Sequence, residues 1–119
     1  MSENQYSGSC HCGTIKYSVK LDLDQPVITC NCSMCSRSGA MLAFVPRSEF
    51  ELEAGQDEVK SYKFNRHIIE HKFCPTCGIK PYSFGVAPDG AEMAAINVRC
   101  LEGVDLSTLK THAVDGKNR

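Results

Sequence analysis

The sequence predicts an all-β fold held together by bound metal. Short apolar runs punctuated by glycine and proline indicate strands, and no repeat, linker or low-complexity segment interrupts them. Cysteines clustered at metal-ligand spacing indicate the bound metal. At 119 residues, with 42% apolar and 23% charged residues, the chain has the size and composition of one globular domain with a small core. We therefore expect a single domain over residues 1–119.

The clearest strand is predicted just after the first cysteines, where polar and apolar residues alternate strictly from Thr14 onward. Ile15, Tyr17, Val19 and Leu21 then share one face, which we expect to lie in the core. Further strand candidates, in chain order, are 27–29, 40–45, 59–64, 68–73, 80–86 and 94–101. We expect 40–45 to be a buried strand, because its residues form a continuous apolar run.

The segments between these strands are predicted to be turns and loops. Residues 36–39 are polar and indicate a loop, whereas 47–49 and 105–109 can each form one helical turn. Residues 55–57 predict a hairpin turn and residues 88–90 a second turn. The ends of the chain, 1–5 and 116–119, are polar.

Charge and hydropathy exclude several classes of partner. Lysine and arginine total 13 against 14 acidic residues, for a net charge of −1, which gives no electrostatic case for nucleic acid or an anionic membrane. There is no apolar run long enough to span a bilayer, and the first residues lack the basic and apolar parts of a signal peptide. We therefore expect a cytoplasmic protein.

Eight cysteines in a cytoplasmic protein need a chemical explanation. Thiols there are kept reduced, so clustered cysteines indicate metal ligands before disulfides. Cys10 and Cys12 lie in one glycine-flanked turn, and Cys74 and Cys77 in another. Together they make the four-ligand set of a structural zinc site. We expect the fold to depend on this ion.

A second group, Cys30, Cys32 and Cys35, contributes only three thiols. One interpretation is another structural site, completed by His67, His71, Cys100 or an acidic side chain. The other is an open site, where water or a substrate thiol takes the fourth position. Three thiolates donate strongly to zinc and make it a weak Lewis acid, so this site favours binding a thiol and carbon–sulfur chemistry over activating water.

Four segments of the chain resemble a known family. They read GSCHCG-x-I-x-Y from Gly8, C-x-CS-x-C from Cys30, FC-x-x-CG-x-x-PY from Phe73 and NVRCL from Asn97. In this order they are similar to the glutathione-dependent formaldehyde-activating enzyme (GFA) family, which also includes centromere protein V. The resemblance covers residues 8–106, which we take as the core of a GFA domain.

The resemblance implies a β-tent fold of short antiparallel sheets held by two zinc ions. Cys10, Cys12, Cys74 and Cys77 match the structural ligands, and Cys30, Cys32 and Cys35 match the ligands of the catalytic zinc. The name-giving enzyme condenses formaldehyde with glutathione to S-hydroxymethylglutathione and is classed as a carbon–sulfur lyase. Glutathione is accordingly expected as co-substrate, its thiol entering the open zinc position and attacking the aldehyde.

Two arginines are candidates for binding the glutathione carboxylates, because a guanidinium group suits bidentate contact with a carboxylate. Arg37 follows the third thiol of the second group, where Ser36 stands at the position in which the family often has arginine. Arg99 lies in the NVRCL segment. The alternatives to an enzyme are a carrier that binds glutathione or another thiol without turnover, and a protein-interaction module with two closed structural zinc sites.

Overall fold

The computed structural model describes residues 3–31, 33–63, 69–87 and 89–115. Over these residues strands predominate, and a single short α-helix, α1, covers Ser33–Ser38. The predicted all-β class is confirmed. The strands are β1 Glu3–Ser9, β2 Lys16–Asp22, β3 Val27–Cys30, β4 Leu42–Pro46, β5 Phe50–Ala54, β6 Lys60–Tyr62, β7 Glu70–Phe73, β8 Tyr82–Val86, β9 Glu92–Asn97 and β10 Thr111–Val114. Turns of 3₁₀ helix cover Arg47–Glu49, Val98–Cys100 and Leu106–Thr108.

The strands of the described ranges form two sheets. A three-stranded sheet has the order β1-β2-β5, and a seven-stranded sheet has the order β10-β3-β4-β9-β8-β7-β6. The pairings are antiparallel except for β10, which lies parallel to β3. The expected antiparallel arrangement therefore holds except at this edge. A parallel neighbour needs a long crossover, and the whole chain between β3 and β10 supplies it.

The core lies between the sheets, on the face that strict alternation predicted for β2. Ile15, Tyr17, Val19 and Leu21 are each at most 2% exposed, so that prediction is confirmed. They pack with residues of β4, β8 and β9 in the main apolar cluster. Burying side chains of this size stabilises the fold by about 1.5–3 kcal/mol each.

Tyr17 connects the two sheets. Its ring centroid lies 5.2 Å from that of Phe50 and 5.7 Å from that of Tyr82. Its hydroxyl donates to the carbonyl oxygen of Pro81 at 3.3 Å, which satisfies the one polar atom of a fully buried side chain. Gly8 allows this packing, because a Cβ at that position would come within 2.4 Å of the Tyr17 ring.

Two strand predictions need correction. Phe44, which lies within the predicted buried strand, is 53% exposed. Successive residues of β4 point to opposite faces of the sheet, and Val45 lies on the face that packs in the main core. The strand predicted at 94–101 is β9, which ends at Asn97 and does not reach Cys100. The Asn97 side chain accepts a hydrogen bond from the Arg99 N–H and so caps a 3₁₀ turn.

Predictions for the connecting segments had mixed outcomes. The helical turn at Arg47–Glu49 is confirmed, and part of the one predicted at 105–109 is present as Leu106–Thr108. The turn after Gly55 exists, but it joins β5 of one sheet to β6 of the other, so it is not a hairpin. The segment predicted to be a loop at 36–39 belongs largely to α1. Pro88 and parts of the candidates 59–64 and 68–73 lie outside the described residues.

The large sheet has a second, smaller apolar cluster. It contains the buried residues Cys35, Ala40, Leu42 and Ala95, with Ile28 and Cys30 packed against them. On β9, Ala94 belongs to the main cluster and its neighbour Ala95 to the small one. Adjacent strand residues point to opposite faces, so the two clusters lie on opposite sides of this sheet. None of the helices in the described ranges has the length and hydropathy needed to span a membrane.

Candidate metal centre

The first cysteine turn is closed by backbone hydrogen bonds to Cys10. This residue directly follows β1, and its N–H donates to the Ile15 carbonyl oxygen at 3.1 Å. Gly13 closes the turn by donating to the Cys10 carbonyl oxygen at 3.4 Å, with φ at +84°. Glycine adopts this left-handed backbone conformation without the steric cost of a Cβ. The turn therefore depends on the glycine that follows the second thiol.

The second cysteine turn repeats this construction. The N–H of Cys74 donates to the Ile79 carbonyl oxygen at 2.9 Å, five residues on, as Cys10 does to Ile15. Gly78 donates to the Cys74 carbonyl oxygen at 2.8 Å, with φ at +81°. The two turns thus present their thiols in similar local frames.

The structure brings the two turns together. The sulfur atoms of Cys10, Cys12, Cys74 and Cys77 all lie within 4.8 Å of one another. Cys12 Sγ is 3.7 Å from Cys10 Sγ and 3.6 Å from Cys74 Sγ. Four sulfurs at about 2.3 Å from a tetrahedral zinc would be about 3.8 Å apart. The donor set and its spacing therefore fit a metal ion such as zinc.

Hydrogen-bond donors stabilise the thiolate forms that a metal ion requires. Burial raises the pKa of the Cys77 thiol, but backbone N–H groups of Ile79 and Cys12 lower it more, to about 6. The Thr14 hydroxyl, 3.1 Å from Cys12 Sγ, lowers the pKa of Cys12. Backbone and hydroxyl donors of this kind stabilise negative charge without adding another ion.

The Cys10 side chain is more deeply buried than those of Cys12 and Cys77. Burial raises the pKa of this thiol, opposed by the Ile15 N–H, which donates to Sγ at 3.3 Å. Cys10 is 3% exposed and Cys74 is fully buried, whereas Cys12 is exposed. The cluster therefore has one closed side against the core and one side toward solvent.

Cys30 and Cys35 lie apart from this cluster. Cys30 ends β3, and Cys35 lies in α1, where it is 8% exposed. Both pack in the small apolar cluster, on the opposite face of the large sheet from the core that contains Cys10 and Cys74. Cys32, the remaining predicted ligand, and His67, a candidate fourth ligand, lie outside the described residues.

Each of the two candidate arginines donates a hydrogen bond to a backbone carbonyl group in or next to α1. Arg37 donates from Nη1 to the Ser33 carbonyl oxygen at 2.9 Å. Arg99 donates from Nε to the Gly39 carbonyl oxygen at 2.9 Å, just beyond the end of the helix. The structure thus places both guanidinium groups beside the helix that contains Cys35.

Comparison with known proteins identifies the family. The model of the glutathione-dependent formaldehyde-activating enzyme family matches residues 5–113. The chain belongs to this family. Among solved structures it is similar to a protein from Rhodobacter sphaeroides, with 31% sequence identity and a TM-score of 0.78 over 90% of this chain and 97% of that one. The family membership predicted from the cysteine motifs is therefore confirmed.

Cys100 of this GFA-family chain lies near the four-thiol cluster. Burial raises its pKa to about 11, and negative charge on Cys10 and Cys77 contributes to the rise. Cys100 was one candidate for the fourth ligand of the second group. The charges that act on it instead come from the first group. Burial and these charges therefore favour the protonated thiol of Cys100.

His71, another candidate fourth ligand, is buried on β7 at 6% exposure. Its Nδ1 lies 3.4 Å from Lys80 Nζ, which donates to the neutral imidazole. Burial first, and then the charge of Lys80, lower the pKa of His71 to about 4. In this GFA-family fold the side chain is therefore neutral at physiological pH.

The buried His71 predicts a loss of stability in acid. Its pKa is about 4 when folded, against about 6.5 when unfolded, so the unfolded chain binds the proton first. This destabilises the fold progressively as the pH falls from about 6.5 to 4, by about 2–3 kcal/mol in all. His71→Gln should flatten this dependence in urea unfolding at pH 7, 5.5 and 4.5, measured with the metal content held equal.

The matched control is His112→Gln, because His112 is exposed on β10. Thiolate protonation and metal release affect all three proteins alike, so the difference between the pH slopes isolates His71. Equal slopes in wild type and His71→Gln would contradict the prediction.

Proposed function

We propose that this chain is a zinc-dependent carbon–sulfur lyase that condenses a thiol with an aldehyde, or cleaves the adduct, with S-hydroxymethylglutathione as the type substrate. Membership of the GFA family supports the reaction class. The observation that carries the proposal is the separation of the thiols. Four are gathered in one cluster, while Cys30 and Cys35 lie on the other face of the large sheet.

The two groups take different roles in this proposal. Cys10, Cys12, Cys74 and Cys77 hold a structural zinc in this proposal, because four sulfurs within 4.8 Å of one another are as many ligands as a closed tetrahedral site needs. Cys30, Cys32 and Cys35 hold the second ion and leave one position for a small thiol. All of these ligands must stay reduced, which fits action in the cytoplasm.

The reaction needs a thiolate beside an electrophilic carbon. Zinc held by Cys30, Cys32 and Cys35 would supply the positive charge that stabilises the substrate as a thiolate. As the sulfur–carbon bond forms, the aldehyde double bond becomes a single bond, and the thiol proton ends on the oxygen. Apolar side chains pack with Cys30 and Cys35, and a thiolate bound beside them would be less hydrated and so more nucleophilic.

The arginines beside α1 provide a way to orient the substrate. Glutathione carries two carboxylates, and guanidinium groups bind carboxylates with defined geometry. The hydrogen bond from Arg99 Nε to Gly39 fixes that side chain while its two Nη groups remain suited to a carboxylate. We propose Arg99, with Arg37, as the site of contact with the carboxylates. Binding the two carboxylates would hold the glutathione thiol in a fixed position relative to the aldehyde, which accelerates the reaction between them.

The test uses the full wild-type chain. We expect two zinc equivalents, and X-ray absorption should show one additional sulfur in the averaged zinc shell when glutathione is added. Formaldehyde consumption with glutathione, followed by NMR, should exceed the uncatalysed rate. Stoichiometric thiol binding without a rate increase would favour the carrier. A zinc shell that glutathione leaves unchanged would favour the interaction module with two closed sites.

A further inference from the structure

Strand β3, which ends at Cys30, pairs along its whole length with β10 but at only one position with β4. Its register with β4 consists of one pair, Ile28 with Leu42. Its register with β10 runs through four pairs and ends with Val114 beside Cys30. The backbone position of Cys30 therefore depends on the C-terminal strand more than on β4.

The contact continues one residue past the strand. The N–H of Asn31 donates to the Val114 carbonyl oxygen at 3.4 Å. The Asn31 side chain donates from Nδ2 to Asp115 Oδ1 at 3.0 Å. Asn31 stands between Cys30 and Cys32 in the sequence, so backbone and side chain are both held at the middle of the Cys-x-Cys pair.

We infer that Asp115 is a positioning residue for the second metal site, acting through Asn31 to hold Cys30 where it can bind the ion. The inference rests on the proposed function, since it assumes that Cys30 is a ligand. Partners that hydrogen-bond around metal ligands fix their orientation, and their loss typically lowers metal affinity by about 10–100-fold. The Asp115 carboxylate, 84 residues away in sequence and directly after β10, connects the ligand segment to the sheet.

Geometry and charge are two separate ways in which Asp115 could act. Its carboxylate is exposed, so its charge is screened by salt and attracts a cation only weakly. Its hydrogen bond to Asn31, by contrast, orders a segment directly attached to a ligand. Asp115→Asn keeps an acceptor oxygen and removes the charge, whereas Asp115→Ala removes both. The comparison of the two variants separates the two effects.

The experiment titrates the full metal-free chain with Co²⁺ and then Zn²⁺, against a chromophoric chelator. Thiolate-to-cobalt absorption resolves the two sites by their affinity. Asp115→Ala should weaken the second site by about 10–100-fold and leave the four-cysteine site unchanged. Asp115→Asn should stay within about threefold of wild type, since it retains the acceptor. Asp89→Ala is the matched control, because its exposed carboxylate accepts from the Ala91 N–H in a turn before β9.

The outcomes separate this inference from the proposed function. If the wild-type chain binds only one metal ion, both the proposed function and the positioning role of Asp115 are overturned. Wild type that binds two, with Asp115→Ala equal to wild type at the second site, overturns only the positioning role. Equal weakening of both sites in Asp115→Ala, or weakening by Asp89→Ala of the same size, assigns the effect to general stability and likewise overturns it.

Discussion

Cys74→Ser should abolish cooperative folding or lower the melting temperature by about 15 °C or more, which corresponds to a loss of several kcal/mol. Cys74 is fully buried, and its thiol meets Cys12 from a turn 62 residues earlier. A structural zinc contributes about 10–16 kcal/mol to folding in small peptides, comparable to the entire stability of a domain. Losing one of four ligands removes a large part of that energy.

Thermal unfolding followed by circular dichroism measures this effect, together with zinc content by elemental analysis. Cys100→Ser is the matched control, because Cys100 is a partly buried thiol near the same cluster that no proposed metal site uses. Cys30→Ser should keep most of the stability, since Cys30 contributes only to the separate small cluster. A similar melting temperature for Cys74→Ser and Cys100→Ser would contradict the structural role.

Cys30→Ser should instead remove the second zinc and, with it, thiol-dependent aldehyde turnover. Cys30 is only partly buried at the end of β3, so exchanging sulfur for oxygen costs little packing. The hydroxyl of serine binds zinc far less well than a thiolate, because zinc in such sites favours soft sulfur ligands. We expect about one zinc equivalent, a folded chain, and a rate within error of the uncatalysed reaction.

Zinc analysis, circular dichroism and NMR rates on one preparation check this prediction. Cys100→Ser again serves as control and should keep both ions and full turnover. Turnover that survives in Cys30→Ser would place the chemistry elsewhere in the molecule. Loss of both ions together would contradict the division into two independent sites.

The sequence predicts best those features that local patterns determine. The buried face of β2 followed from strict alternation, because a strand between a core and solvent needs period two. The two cysteine turns followed from thiol spacing and from the glycines that close them. The four thiols do come together. Occupation of this cluster by zinc stays a prediction.

The elements that the sequence did not reveal are stabilised by distant partners. Strand β1 has no apolar alternation, yet it pairs with β2 at all seven positions. Helix α1 is polar, but Arg99, 60 residues after Gly39, donates to the Gly39 carbonyl oxygen just beyond the end of the helix. Strand β10 exists through its pairing with β3. Such long-range pairing overrides local propensity and leaves no local pattern to detect.

The candidate second site shows the same limit. Cysteine spacing was sufficient to single out Cys30 and Cys35, because ligands close in sequence can share an ion. The contact between Asn31 and Asp115 has no signal in the sequence, since nothing local relates two residues 84 positions apart. Sequence reasoning therefore proposes ligands for such a site more readily than it proposes the residues that would hold them in place.

The pairing of β10 with β3 means that β3 is synthesised long before the strand with which it pairs. All four thiols of the first cluster have been synthesised once Cys77 is translated, whereas Asp115 follows 38 residues later. At about 5–20 residues per second, that interval lasts about 2–8 s. For those seconds the nascent chain has every thiol of its first cluster but lacks the strand that supports Cys30. The four thiols of the first cluster are thus all synthesised before the strand that pairs with β3, so a chain that ends between them would have the proposed structural ligands but not the support of Cys30.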